Sequence, residues 1–241
     1  MARTITTLAF AAVLLASQAR ASETGTTEAR LKDRVTAITG GKVRPDAIVP
    51  TPVPGVLEVR AGLDIFYVDA SGQYAFVEGH LLDLKAGRDL TRERLDEASR
   101  IDFEALPLQL ALKTVRGNGK RRIAVFEDPA CPYCRALRTL LDQLGDITIY
   151  TFPYPVLSAD SDAKARMALC DANPSQAWAA LMRSGQAPPA PRACNSNVDK
   201  LIELGTRLNV RGTPTIFFAD GRRAQGAVPP EQFMTMLDHP R

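Results

Sequence analysis

Histidine, tryptophan and cysteine are scarce in this chain, which has two, one and four of them among 241 residues. His80 and His239 stand alone in the sequence, so neither has neighbours at the spacing of a metal site. Covalent haem attachment requires histidine directly after the second cysteine of a Cys-x-x-Cys motif, and Arg135 occupies that position after Cys134. These shortages argue against metal or haem chemistry, and no other cofactor motif is recognisable, so we expect a protein without cofactor.

An excess of either charge is also lacking once the N-terminus is set apart. Arg3, the apolar stretch 5–16 and Ala19-Arg20-Ala21 have the order of a secretory signal peptide, which predicts a leader over residues 1–21. The apolar stretch is too short for a membrane anchor, and the alternative is a buried N-terminal helix. Without the leader, 28 basic and 27 acidic residues remain. Net charge therefore gives no support for nucleic-acid binding.

The Cys-x-x-Cys motif lies where a strand is predicted to meet a helix. The apolar run 123–126 predicts a buried strand, and leucines at helical spacing follow between residues 137 and 144. Cys131 is then expected in the first turn of the helix, where unpaired N–H groups and the helix dipole stabilise a thiolate. The position predicts Cys131 as nucleophile and Cys134 as resolving thiol. A merely stabilising bridge is the alternative.

The remaining cysteines, Cys170 and Cys194, are widely spaced. A leader implies export to an oxidising compartment, where cysteines are expected first of all to form disulfide bonds. If Cys131 and Cys134 form the redox pair, the other two are left to pair with each other, and closing that loop would contribute about 3 kcal/mol. A zinc site of four cysteines is the competing hypothesis, but the second pair lacks the close spacing of a zinc ribbon.

The part of the chain before the motif predicts a small α+β unit. Residues 24–39 have a moderately amphipathic pattern that Gly40-Gly41 ends, and a proline-punctuated stretch follows. Short β-type segments come next, at 56–59, 65–68, 74–77 and 81–84. A unit this small buries a limited core by itself, which favours association with a second copy.

A charged segment, 91–105, has helical spacing and is followed by Pro107. We therefore predict a domain over 22–90, a helical linker over 91–112 and a second domain over 113–241, with one continuous domain as the alternative.

The second domain is predicted to be α/β with a mixed sheet. Strands at 122–126, 147–152 and 215–219 alternate with helices, and a helical insertion separates the last two strands. Asp220-Gly221 marks a hairpin turn, and Pro229-Pro230 suits the start of a terminal helix. A Cys-x-x-Cys motif beside such a strand–helix unit is typical of the thioredoxin-like arrangement.

Gly212-Thr213-Pro214 directly precedes the apolar strand at 215–218. In thioredoxin-like proteins this place holds a cis proline that faces the Cys-x-x-Cys motif, and we expect Pro214 to be cis. The missing N–H of Pro214 and the backbone of Thr213 leave room for a substrate chain to pair in extended form beside the cysteines.

Together these motifs resemble the bacterial periplasmic disulfide isomerase family of DsbC and its relative DsbG. The resemblance is carried by residues 126–134, by Ser161-Asp162-Ala163-Lys164 ahead of Cys170, by Cys194 and by Gly212-Thr213-Pro214. Residues 52–79 are similar to the family's small, cystatin-like dimerisation domain. The resemblance implies a V-shaped homodimer joined through N-terminal domains, with two thioredoxin-like catalytic domains facing an apolar cleft. It also implies a structural Cys170–Cys194 disulfide and reduction by a membrane reductase of the DsbD type.

The chain departs from the family pattern at two places. DsbC usually has glycine between the cysteines, whereas Pro132-Tyr133 is closer to the DsbG form, so the balance between isomerase and oxidase activity is left open. Thioredoxin and DsbA carry a buried acid at the position of Val125. Glu127 and Asp128 are near, but we expect their charges to be solvated and assign neither a catalytic role.

The sequence therefore predicts a periplasmic thiol–disulfide isomerase or reductase that reshuffles wrong disulfides in misfolded exported proteins. Cys131 and Cys134 would carry the chemistry. Thr213 and Pro214 would shape the docking edge, and Pro132-Tyr133 would contribute contacts beside the sulfurs, although Tyr133 is equally compatible with a helix-surface position. A DsbA-like oxidase and a DsbG-like holdase chaperone are the alternatives.

Overall fold

The computed structural model describes residues 28–189 and 194–239. The predicted leader and the start of the first predicted helix lie outside these residues. By its internal contacts the chain divides after Ala98 into two compact units. Among the described residues, no helix is both long and apolar enough to span a bilayer.

The first unit is built on a four-stranded antiparallel sheet in the order β1-β2-β3-β4. The strands are β1 (Ala47–Pro50), β2 (Val56–Ala61), β3 (Asp64–Asp69) and β4 (Ala75–Phe76). A helix, α1, covers 28–38 of the described residues and supplies Leu31 to a core with Ile48, Val59 and Val68. Between β2 and β3, Gly62 has a φ of 60°, which allows the tight turn, and its N–H donates to Asp46.

The first strand was not predicted, because prolines punctuate its segment and hide the alternation of apolar residues. The predicted segment at 81–84 forms only β5 (Leu82–Asp83), which pairs with β6 (Arg88–Asp89) in a separate two-stranded sheet.

The predicted helix at 91–105 is shorter than expected. It is α2 (Leu90–Ala98), which packs on the first unit: the Thr91 hydroxyl hydrogen-bonds Tyr67, and Arg94 lies 3.4 Å from Glu58. The helix does not continue because Ile101 donates its N–H to Gly221. A separate 3₁₀ turn, Phe103–Ala105, then begins at Asp102, whose side chain caps it. The division into 22–90, 91–112 and 113–241 stays a prediction.

The second unit has a five-stranded sheet in the order β11-β10-β8-β9-β7. After a second 3₁₀ turn, Leu108–Leu110, its strands are β7 (Leu112–Arg116), β8 (Arg121–Glu127), β9 (Ile147–Pro153), β10 (Thr215–Phe218) and β11 (Arg223–Gln225). The β8–β9 pair is parallel and the other pairs are antiparallel. This mixed sheet is the predicted thioredoxin-like arrangement.

Helices cover both faces of this sheet. They are α3 (Pro132–Asp142), α4 (Ala159–Leu169), α5 (Pro174–Ser184), α6 (Val198–Arg207) and α7 (Pro230–Asp238), of which α4 to α6 form the predicted insertion. Successive residues of β8 point to opposite faces. Ala124 and Phe126 therefore join the core that α6 covers, whereas Ile123 and Val125 join the core beneath α3 and α7. Because β8 runs directly into α3, the sheet holds the start of that helix in place.

Candidate active site

Cys131 is the N-cap of α3, one position before the first turn that the sequence predicted. Pro132 occupies the first helical position, where its missing N–H leaves no hydrogen bond unmade. The N–H of Cys134 donates to the Cys131 sulfur at 3.2 Å. The sulfur therefore sits where a helix terminus presents N–H groups and a partial positive charge, which is the setting expected for a nucleophilic thiol.

The loop before β10 faces this sulfur. The Thr213–Pro214 peptide bond is cis, as predicted. The Cys131 thiol lies 3.2 Å from the carbonyl oxygen of Thr213, to which it donates. Pro214 is buried, and the Thr215 hydroxyl donates to the Gly212 carbonyl at 2.7 Å, which fixes the loop on its other side. The structure thus brings together Cys131, Cys134, Thr213 and Pro214, as the sequence predicted.

Cys134 is the more deeply buried of the two free cysteines. Burial, followed by the hydrogen bond to Cys131, raises the pKa of the Cys134 thiol far above its ordinary value. Burial does this because a thiolate loses hydration in an apolar environment. Ala165, Ala168 and Trp178 belong to the apolar cluster that contains both cysteines.

The expectation that Glu127 is solvated was wrong. Its side chain ends β8 in the interior, 1% exposed, and accepts a hydrogen bond from the indole N–H of Trp178 at 2.5 Å. Arg138 of α3 donates to the same carboxylate through Nε at 3.1 Å and through a second nitrogen. A buried carboxylate needs such donors, since an unpaired charge in the interior is very costly.

Asp128 is also buried, again against expectation, and it organises the backbone around the motif. One carboxylate oxygen accepts from the Ala130 N–H and from the Ser161 hydroxyl, both at 2.7 Å. The other accepts from the Leu157 N–H at 2.9 Å. Asp128 therefore ties the turn before Cys131 to the start of α4 and to the loop after β9. These contacts explain why Ser161 accompanies the cysteine motif.

The remaining predicted contact residues lie at the surface of the site. Pro132 and Tyr133 are exposed on the first turn of α3, and the Tyr133 ring is 59% accessible. Val156 and Leu157, which the sequence reading overlooked, are exposed on the loop that Asp128 holds. The segment before Cys131 and the loop after β9, which Asp128 joins, thus lead to exposed apolar side chains on both sides of that contact.

Cys170 and Cys194 are joined by a disulfide, with their Cα atoms 5.8 Å apart. Cys170 is the C-cap of α4, and Cys194 lies before α6, so the bond closes the part of the insertion that contains α5. The pairing predicted from the sequence is thus present, and these two sulfurs are unavailable to the redox pair.

Arg138 and Trp178 were missed by sequence reasoning. Arg138 follows Cys134 by four residues, the spacing that places two side chains on one face of a helix, so this signal was present. Trp178 lies 51 residues after Glu127 and comes from the insertion. No local pattern connects those two residues, and only the tertiary packing of α5 does so.

Two family models match this chain. A model described as a thioredoxin-like domain matches residues 108–240. A second, described as the disulfide bond isomerase protein N-terminal domain, matches residues 16–92. The matches fall on the two units that the contacts distinguish, and the first includes both free cysteines and the cis proline.

Curated relatives and solved structures agree with these matches. The chain is 49% identical over 188 residues to a probable thiol:disulfide interchange protein DsbC of Bordetella avium (strain 197N), covering 78% of this chain and 67% of the relative. It is 25% identical over 206 residues to the thiol:disulfide interchange protein DsbC of Escherichia coli (strain K12), covering 81% and 82%. A crystal structure of a disulfide interchange protein from Neisseria gonorrhoeae is 36% identical, with a TM-score of 0.51 over 55% of this chain and 96% of that chain. The chain therefore belongs to the DsbC family of thiol:disulfide interchange proteins, and in its sequence a disulfide isomerase N-terminal domain is followed by a thioredoxin-like domain.

Proposed function

We propose that this protein is a periplasmic thiol–disulfide isomerase and reductase that corrects wrong disulfides in exported proteins. The observation that carries the proposal is the position of the Cys131 sulfur, at the N-terminus of α3 and 3.2 Å from the Thr213 carbonyl. A nucleophilic sulfur beside a strand-like backbone edge fits an extended peptide that contains a disulfide.

The reaction begins when the Cys131 thiolate attacks one sulfur of the substrate disulfide. A bond forms between Cys131 and that sulfur, the substrate S–S bond breaks, and the other substrate sulfur leaves as a thiolate. In isomerisation, a second substrate thiolate attacks the mixed disulfide and regenerates Cys131. In reduction, Cys134 loses its proton and attacks the Cys131 sulfur, so that the substrate leaves reduced and the protein becomes oxidised.

Substrate contact is assigned to the surfaces that border the sulfur. The backbone of Thr213 would pair with the extended backbone of the substrate, and Pro214, whose carbonyl accepts from the Gly226 N–H, would hold Thr213 in position. Pro132 and Tyr133 would contact side chains that flank the substrate cysteine. The exposure of Tyr133, Val156 and Leu157 supports this assignment, because misfolded clients present apolar side chains.

The proposed assembly is a homodimer that forms through the first unit. In support, this unit exposes apolar side chains on and around the edge strand β4: Ile38, Tyr74, Phe76 and Val77. A groove of about 630 Å³ lies on the same unit and is lined mainly by apolar residues of α1, β3 and β4. A free edge strand next to an apolar surface favours pairing with a second copy.

The proposed electron donor is a membrane reductase of the DsbD type, because each reductive turnover leaves Cys131 and Cys134 oxidised. The test is the redox state of these two cysteines in cells, determined by alkylation, together with the native mass of the purified protein. An isomerase is expected to be mostly reduced and dimeric. A mostly oxidised pair would instead identify a disulfide donor, and aggregation suppression that survives loss of both cysteines would add a holdase function.

A further inference from the structure

A buried ion pair joins the end of β8 to α3, the helix that begins at the redox cysteines, and it has no part in the mechanism described so far. Glu127 and Arg138 are its members, and Trp178 completes it by donating to the Glu127 carboxylate. Glu127 is 1% exposed and the side chain of Arg138 is 21% exposed. Removing two charges from water costs free energy that their mutual attraction often does not fully recover. Stability alone therefore does not explain why this ion pair is buried.

Arg138 lies one helical turn from the resolving cysteine. Arg138 follows Cys134 by four residues in α3, so both side chains lie on one face of the helix. Burial lowers the pKa of Arg138, but the charge and hydrogen bonds of Glu127 and the charges of Asp142 and of an ionised Cys134 outweigh it. The pKa of Arg138 therefore lies above its ordinary value. The guanidinium is a permanent positive charge that attracts an ionised Cys134 electrostatically.

The resolving step needs such a charge. Cys134 is fully buried, and its sulfur must become a thiolate before it can attack the mixed disulfide. Within the described residues, the titratable groups around it are Cys131 at the N-cap of α3, Arg138 one helical turn further along α3, and Glu127, the last residue of β8, whose carboxylate binds Arg138. Asp128 contacts it through its backbone. The other elements packed against it contribute Thr213 and an apolar cluster that includes Trp178.

We propose that Arg138 stabilises the Cys134 thiolate in the resolving step, and that Glu127 and Trp178 are positioning residues that hold the guanidinium on this face of α3. The inference rests on the proposed function, because it assigns groups to one step of that reaction. In that step Cys134 gives up its proton to solvent, the Cys134–Cys131 bond forms, the mixed disulfide breaks, and the substrate leaves as a thiolate. The protein dithiol is oxidised by two electrons and the substrate is reduced.

The proposal makes the two members of the ion pair act in opposite directions. Arg138→Gln removes the charge that favours the thiolate, so the resolving step slows. Glu127→Gln keeps an acceptor for Arg138 and Trp178 but removes the negative charge that opposes the thiolate, so the step speeds up. A structural contribution would instead make both substitutions act in the same direction, because both break the same ion pair.

The experiment follows reduced protein mixed with the chromogenic disulfide dithiobis(nitrobenzoate). Cys131 attacks the probe and releases one nitrothiobenzoate in a first phase. Cys134 then attacks the mixed disulfide and releases the second nitrothiobenzoate. The second phase isolates the resolving step, and its rate is measured from about pH 6 to about pH 9.

A shift of one pKa unit changes the thiolate fraction about tenfold, but a less basic thiolate is also a weaker nucleophile, so the rate changes by only about threefold. We expect the second phase of Arg138→Gln to be about threefold to tenfold slower than wild type, and that of Glu127→Gln to be about threefold faster. The first phase is expected to stay within about twofold in both variants.

Arg135→Gln is the matched control, because it removes one positive charge from the same helix and the Arg135 guanidinium donates to the Pro129 carbonyl at 2.9 Å. Its second phase is expected to match wild type. If Arg138→Gln is too unstable to purify, the Glu127→Gln variant alone carries the test, because a purely structural contribution predicts a slower second phase and the proposal predicts a faster one. A slower Glu127→Gln variant, or an unchanged second phase in Arg138→Gln, would overturn the proposal. Absence of the first phase in wild type would instead contradict the proposed function.

Discussion

The Cys131 sulfur lies 3.2 Å from the carbonyl oxygen of Thr213, a residue 82 positions further along the chain. The contact exists because β8 and β10 are adjacent antiparallel strands, so the C-terminal end of β8 lies beside the N-terminal end of β10. The segment after β8, which contains Cys131, therefore meets the loop before β10, which contains Thr213. The Cys131 sulfur and the Thr213 backbone are thus positioned by the same pair of strands.

The buried thiol of Cys134 is expected to make stability depend on pH. Burial raises its folded-state pKa well above the value of about 8.5 that a thiol has in an unfolded chain. The folded protein then keeps a proton that the unfolded chain loses, so stability is fully present below about pH 8.5 and declines as the pH rises above it. The free energy of unfolding of the reduced protein is expected to fall by up to about 1.4 kcal/mol per pH unit more steeply than that of Cys134→Ser. Urea titrations at successive pH values measure the two slopes, and equal slopes would contradict the raised pKa.

Removing the Cys170–Cys194 bond is expected to lower stability without altering the redox chemistry. The double variant Cys170→Ser/Cys194→Ser leaves no free thiol at these positions and opens a loop with a sequence separation of 24 residues. A loop of this length predicts a loss of about 3 kcal/mol, visible as a lower denaturant midpoint. Reshuffling activity at a temperature where the variant is folded is expected to equal that of wild type. Lost activity in a folded variant would assign the disulfide a redox function.

The buried Glu127 is expected to be far more important for stability than an exposed acid in a similar pair. Glu127→Ala leaves Arg138 as an uncompensated, largely buried charge, which predicts a loss of about 3–5 kcal/mol. Glu104→Ala is the matched control, because Glu104 pairs with Arg122 at the surface, where solvent screens the pair, and its loss is expected to change stability little. Denaturant unfolding of both variants measures the difference. Similar losses would mean that burial does not determine the contribution of these pairs.

Dimerisation is expected to depend on the apolar face of the first unit. Phe76→Asp places a charge on the edge strand β4, at a side chain that is exposed and absent from the core, so the fold should persist while the native mass falls to that of a monomer. Val115→Asp is the control, because Val115 is an exposed apolar residue on the edge strand β7 of the second unit. Native mass spectrometry distinguishes the two variants. A Phe76→Asp dimer would place the interface elsewhere.

Much of the second unit could be predicted from the sequence because its signals are local. Apolar runs indicated β8, β9 and β10, and leucine spacing indicated α3. Thr213-Pro214 before a strand indicated the cis proline only in combination with the Cys-x-x-Cys motif. The burial of Glu127 and Asp128 could not be predicted in this way. Their partners, Trp178 and Ser161, come from the insertion, and a charged residue next to a strand end is usually exposed unless distant donors converge on it.

The first unit was predicted less completely for a related reason. Its strands are short and its core is small, so tertiary packing and not local pattern decides where each element begins and ends. Pro50 is the last residue of the edge strand β1, and a proline there makes the strand hard to recognise in the sequence. Ile101 is not helical because its N–H donates to the Gly221 carbonyl. The sequence indicates the types of elements, whereas such contacts determine their lengths.

The most direct test of the central claim is the capture of mixed disulfides on a scrambled multi-disulfide substrate. Purified Cys134→Ser and Cys131→Ser are incubated with the substrate, quenched with acid and analysed by mass spectrometry, while native substrate is measured in parallel. We predict that Cys134→Ser accumulates mixed disulfides through Cys131 and that Cys131→Ser neither forms them nor reshuffles the substrate. Full reshuffling by Cys131→Ser would contradict the assignment of Cys131 as the nucleophile.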